Sequence, residues 1–177
     1  MPKTFQPSFA TPAQLYDYQL AGLKWTTQHA YNGSPHYRNA MTNAGVEPKD
    51  IQSLDDIRRL PFTTADDLRA GYPFPLLSVP MADVVRIHAS SGTTGKRKIL
   101  AYTQQDVGDW GHFFARCYEM AGLTAEDRIQ IAVGYGVWTA GVGFQLGCER
   151  FGALAVPVGP GNIDMQCEFL VDLQSTV

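Results

Sequence analysis

Ser90-Ser91-Gly92-Thr93-Thr94-Gly95-Lys96 gathers four hydroxyls, two glycines and one lysine into seven consecutive residues. Glycines let a backbone approach an anion closely with its N–H groups turned inward. Ser90, Ser91, Thr93 and Thr94 add hydroxyl donors, and Lys96 adds a positive charge on a flexible stem. Such a loop is suited to a polyphosphate. It is not a Walker A loop, which would need glycine where Ser90 stands and Ser or Thr where Arg97 stands. The context differs too. An apolar run (Val84, Val85, Ile87) precedes the loop, Lys98 to Tyr102 reads as a second strand, and a helix starts only after Thr103. The loop is therefore expected as a turn between two strands.

The signature from Ser90 to Lys96 resembles the phosphate-binding loop of the adenylate-forming superfamily of acyl- and aryl-CoA synthetases, luciferases and peptide-synthetase adenylation domains. Leu60-Pro61-Phe62-Thr63-Thr64 with Asp67-Leu68, His88-Ala89-Ser90-Ser91-Gly92, Tyr102-Thr103, Gly134-Tyr135-Gly136 and Gly141-Val142-Gly143 narrow the likeness to phenylacetate–CoA ligases. The resemblance implies a two-step reaction. A carboxylate attacks the α-phosphorus of ATP to give an acyl-adenylate and pyrophosphate, and the CoA thiol then displaces AMP. It implies ATP, Mg²⁺ and CoA as cofactor and co-substrates, with a small carboxylic acid as the remaining substrate.

Within that resemblance, Ser90, Ser91, Gly92, Thr93, Thr94, Gly95 and Lys96 are the ATP-phosphate residues, and Lys96 is the catalytic candidate. Donors aimed at a leaving pyrophosphate stabilise the transition state more than the ground state. Tyr135 and Gly136 are the acid-binding candidates, because Tyr135 follows a strand and open α/β sheets take ligands at the carboxyl ends of their strands. A core tyrosine with its hydroxyl on backbone is the competing reading. Trp138 and Phe144 are expected to pack in the core rather than line the pocket. His88 either orients the loop or is a satisfied strand-end histidine. No carboxylate stands out as an Mg²⁺ ligand, and no Ser–His–Asp pattern supports a hydrolase.

The elements that must position these residues fall into two patterns. Residues 1–80 read as a helical cap joined by proline-rich connections. Thr11-Pro12 and Ser34-Pro35 are helix starts, Gly45 is a stop, and Thr64 with Asp67 forms a capping box for a third helix. Asp55, Asp56, Arg58 and Arg59 read as a solvated face. Residues 81–177 alternate strands and helices, which predicts an α/β core subdomain with right-handed crossovers and a largely parallel sheet. One helix follows Thr103 with Val107, Trp110, Phe114, Cys117 and Ala121 on its inner face, and Gly122 closes it. Strands are expected over 128–133 and 153–158, a helix carrying Ala140, Gly143 and Gly147 lies between them, and another helix covers 163–173. Together the two parts make an N-terminal domain incomplete at its C-terminus, since Ser175-Thr176-Val177 looks like the start of a further strand. By itself such a chain is expected to make no acyl-CoA.

Composition fits a globular protein: 177 residues, 45% hydrophobic and 18% charged. A net charge of −3 offers no electrostatic pull toward nucleic acid or an anionic membrane. No apolar run reaches the roughly 20 residues a membrane span needs, and no secretory h-region precedes the first helix. A cytoplasmic location follows as the expectation. Cys117, Cys148 and Cys167 are odd in number and widely spaced, and are expected as buried thiols rather than a zinc site or a disulfide framework. An unfinished sheet predicts a homodimer or other self-association. Two alternatives stay open: another adenylating enzyme of the branch, such as a coenzyme F390 synthetase-like protein or a secondary-metabolism enzyme, and a non-catalytic nucleotide-binding or dimerising remnant.

Overall fold

In the computed structural model, residues 4–90 and 96–177 are described. The chain is mixed α/β and divides into two compact units. One holds residues 8–84 and 96–101; the other holds 4–7, 85–90 and 102–177.

The first unit is helical. α1 (Pro12–Gly33) starts where Thr11 Oγ1 accepts the Gln14 N–H and Pro12 presets the first turn. α2 (Pro35–Asn43) follows Ser34 directly and gives way to Gly45 at φ 66°. Met41, Val46 and Ile51 form a buried cluster, with Leu23, Tyr31 and Leu60 packed around it. Leu54–Arg59 is a 3-10 helix capped by Ser53 and Asp56, and its Asp55–Arg58 pair lies in solvent as expected. The Thr64–Asp67 box forms, with Asp67 Oδ2 accepting the Thr64 amide at 2.6 Å, yet α3 (Asp67–Ala70) is a single turn.

β1 (Val84–Ala89) and β2 (Ile99–Thr103) make a two-stranded sheet. Thr103 then caps α4 (Gln104–Met120) through a box with Asp106, where the sequence places the helix start. β3 (Arg128–Gln130) pairs in parallel with β4 (Leu154–Val156), in the register Arg128–Leu154, Ile129–Ala155 and Gln130–Val156. The helix between them, α5 (Ala140–Phe151), ends at Gly152, whose φ of 99° suits only glycine well. α6 (Ile163–Asp172) begins at Asn162, whose side chain accepts the Met165 N–H. Along the other side of β3, the Thr176 N–H donates to the Arg128 carbonyl and the Gln130 N–H donates to Val177. Residues 175–177 therefore continue the sheet, as their composition suggests. The expected parallel order holds for β3 and β4, but the assigned strands are three residues each and shorter than the apolar runs that mark them.

α4 and α5 pack unusually closely because α5 presents glycines. A Cβ at Gly143 would lie 2.7 Å from the Phe114 ring, and one at Gly147 would overlap Phe114 Cβ. The inner face of α4 runs through the fully packed Gly111 and Ala115. Two thiols expected to be buried are not. Cys117 turns outward and is exposed, as is Cys167, and only Cys148 is buried. The periodicity located a stripe but not its centre: Gly111 and Ala115 are the buried residues of α4, with Phe114 beside them against Gly143 and Gly147. Ile129, Ile131, Cys148 and Ala153 form the core of this unit, and burial pushes the Cys148 thiol up to about 11. Phe5 joins it from the N-terminus, with its amide on Glu119 and its ring beside Phe151.

Candidate functional site

β1 delivers the chain into the phosphate loop. Alternation along the strand puts Val84, Arg86 and His88 on one face, and the last of these is buried, 3% exposed. Its ring meets Trp110 edge-on at 4.7 Å and Tyr102 at 5.4 Å, while Tyr102 and Trp110 stack on each other. The Arg86 guanidinium lies 5.8 Å from the centroid of Trp110. Burial, and after it the Asp106 charge, raises the Tyr102 phenol above its ordinary value, so it stays neutral.

Beyond β3 the chain turns through Gly134-Tyr135-Gly136-Val137 toward α5. The Val137 carbonyl accepts two hydrogen bonds from the end of β1: the Ala89 N–H at 2.8 Å and His88 Nδ1 at 3.0 Å. A carbonyl only accepts, so the His88 proton sits on Nδ1. The residue before Ser90 is thus tied to the residue after Gly136. Sequence reading singled out both ends and missed the join, since its acceptor is a backbone carbonyl.

Tyr135 is half-buried, and its ring packs against the Ile129, Ile131, Cys148 and Ala153 core. Its hydroxyl is enclosed with no hydrogen-bond partner among the described residues. Burial raises the phenol's pKa, with Glu149 and Cys148 adding to the shift. Gly136 is exposed beside it. Trp138 overturns its expectation: it is 54% exposed and packs in no core. Its apolar character could not tell the inside of a loop from the outside. Phe144 meets Phe114 edge-on at 5.1 Å, and the carbonyl of Phe144 accepts the Tyr118 hydroxyl.

The phosphate residues are only partly placed. Ser90 directly follows β1, whereas Ser91, Gly92, Thr93, Thr94 and Gly95 lie outside the described residues. Lys96 belongs to the helical unit, where its exposed ammonium lies 5.3 Å from the centroid of the Tyr72 ring. No three His, Cys, Asp or Glu side chains gather to hold a metal among the described residues. No helix is long and apolar enough to cross a membrane among them either.

Comparison with known proteins supports the resemblance read from the sequence. The chain is 45% identical over 165 residues to the phenylacetate–coenzyme A ligase of Escherichia coli K12, which covers 93% of this chain and 38% of that protein. It is 41% identical over 168 residues to the phenylacetate–coenzyme A ligase of Aromatoleum evansii, covering 95% and 38%. The chain therefore spans less than two-fifths of the length of these curated relatives. Its fold superposes on 2-hydroxyisobutyryl-CoA ligase in the postadenylation state with 2-HIB-AMP, at a TM-score of 0.80 and 26% identity, over 91% of this chain and 34% of that one. The same ligase with 2-HIB-AMP and CoA, in its thioesterification state, matches at 0.80 and 27%, over 91% and 35%. No family model matches the chain.

Proposed function

We propose that the protein carrying these residues is an ATP-dependent ligase that joins an aryl-acetic acid to coenzyme A, and that this chain supplies its phosphate loop and one wall of its acid pocket. The observation that carries this reading is 45% identity along 93% of the chain to a phenylacetate–coenzyme A ligase. The hydroxyl-rich signature from Ser90 to Lys96 lies within residues 1–177 and gives it a chemical basis.

In the first step a carboxylate oxygen of the acid bonds to the α-phosphorus of ATP, and the bond from that phosphorus to the bridging oxygen breaks. Pyrophosphate leaves with the electron pair. Ser90, Ser91, Thr93, Thr94, the Gly92 and Gly95 amides and Lys96 receive the charge that grows on it. In the second step the CoA sulfur bonds to the acyl carbon and AMP departs. Mg²⁺ would supply positive charge to offset that of the phosphates, and among the described residues no three His, Cys, Asp or Glu side chains gather to hold it. Tyr135 supplies an aromatic wall and Gly136 leaves room for the acid beside it. A cytoplasmic location and self-association belong to the same reading, and the exposed free thiols of Cys117 and Cys167 suit a reducing compartment.

ATP–pyrophosphate exchange, run on the full-length polypeptide carrying these residues with a panel of aryl and alkyl acids, tests the reading. Exchange fastest with aryl-acetates is expected. Exchange confined to alkyl acids would move the acid class, and none with any acid would overturn the ligase.

A further inference from the structure

We propose that His88 is a positioning residue: through the Val137 carbonyl it locks the phosphate-binding and acid-facing segments together, so that filling either side tightens the other. The proposal rests on the ligase reading and adds a coupling between its two substrates.

The geometry starts from one acceptor with two donors. The Ala89 amide and His88 Nδ1 both reach the Val137 carbonyl, at 2.8 Å and 3.0 Å. A single hydrogen bond fixes a distance, whereas two from donors on adjacent residues also fix a direction. Both lone pairs of the carbonyl are then used. What they hold would otherwise be loose, because Gly134 and Gly136 flank Tyr135 and glycine offers the backbone its widest freedom. The imidazole is held in turn. Trp110 and Tyr102 meet it edge-on, at interplanar angles of 86° and 83°, and fix the plane in which Nδ1 points.

The choice of residue also needs explaining. His88 Nε2 is enclosed without a hydrogen-bond partner among the described residues. An enclosed acceptor that lacks a donor costs stability, so a phenylalanine would fill this slot better if packing were the only demand. Histidine is the side chain that combines an aromatic edge for Trp110 with a donor for Val137. The tie sits one residue before Ser90 and one after Gly136. A shift of the acid-side turn must therefore move the root of the phosphate loop.

The test uses the full-length polypeptide and three variants. Asparagine places a donor where Nδ1 stands, glutamine places it where Nε2 stands, and phenylalanine fills the ring's volume with no donor. Long-range proton–nitrogen spectra of the wild type should show His88 protonated on Nδ1. Titration calorimetry with phenylacetate and a non-hydrolysable ATP analogue should show each tightening the other about five- to tenfold, the scale of one hydrogen bond. His88→Asn should keep that factor. His88→Gln, and His88→Phe should the glutamine variant fail to fold, should bring it to about one while each ligand alone binds within about twofold of wild type. Equal loss in the Asn and Gln variants, retained coupling in Gln or Phe, or an Nε2-protonated wild type would overturn the proposal. A wild type that binds both ligands without coupling overturns it and leaves the ligase reading standing; one that binds neither ligand overturns both.

Discussion

Lys96 and Tyr135 carry opposite kinds of evidence. Lys96 is exposed, and its ammonium lies over the Tyr72 ring at 5.3 Å, an attraction weak enough to yield to a phosphate. Lys96→Ala should slow adenylate formation by about 10²–10³-fold, the scale of losing one transition-state donor, with no loss of fold. Pyrophosphate exchange and circular dichroism together check both halves, and unchanged exchange in a folded variant would refute the role. Tyr135 is instead part of a packed core with its hydroxyl enclosed. Tyr135→Ala should raise KM for aryl acids and leave KM for ATP nearly unchanged, because only acyl contacts are removed. Tyr135→Phe separates hydroxyl from ring: if only the ring lines the pocket, KM for the acid stays at the wild-type value. A change confined to ATP in either variant would place Tyr135 in the nucleotide site.

At the scale of elements, the tightest fit is between α4 and α5. Gly147 allows this approach because it carries nothing where Phe114 lies, whereas a Cβ at Gly111 would meet Leu146 only at ordinary contact distance. Gly147→Ala should push the helices apart and destabilise the unit by about 1–3 kcal/mol, the usual cost of overpacking. Gly108→Ala provides the control, since a Cβ there meets nothing within 4 Å, and an alanine in mid-helix should be neutral or stabilising. Thermal unfolding of the two variants decides the matter, and equal midpoints would show that the interface can relax. The same interface bears on the site, because Trp110 and Phe114 leave α4 on the side that meets Gly143.

For the whole molecule, acid stability follows from capping carboxylates. Backbone and hydroxyl donors hold the Asp56, Asp67 and Asp127 carboxyls below the ordinary carboxylate range, with Gln52, Thr64 and Thr124 the leading causes. A folded pKa below the unfolded one stabilises the fold above the unfolded value and ceases to do so as pH falls through the folded value. The unfolding midpoint should therefore be flat near neutrality and fall below about pH 4. Asp127→Asn should remove part of that slope, measured by calorimetry across pH, and an unaltered slope would contradict the assignment. Helix starts and stops were legible in the sequence because caps are written in residue types: Thr11 and Thr103 with Asp106 open helices, and Gly152 closes one, each where its chemistry is needed. Outward-facing Cys117 was not legible, because apolar spacing gives a stripe without its centre, and exposed Trp138 was not, because it lies in a loop with no periodicity to read. Nor was the partner of His88, since a carbonyl is the same at every position and only the fold says which one comes near.

The placement of residues 175–177 has a kinetic consequence. The last residue of β3 and the one after it donate to opposite sides, Gln130 to Val177 and Ile131 to Val156. The amide protons of these neighbours therefore report on different partners. Exchange with deuterated solvent at Ile131 follows the opening of β4, which is bound to the buried core. Exchange at Gln130 follows the release of a three-residue segment held by Thr176 Oγ1 on Asp127 and by the Arg128 side chain on the Leu173 carbonyl. Two adjacent amides thus act as separate clocks, and the Gln130 one times the loosening of residues 175–177 apart from the core.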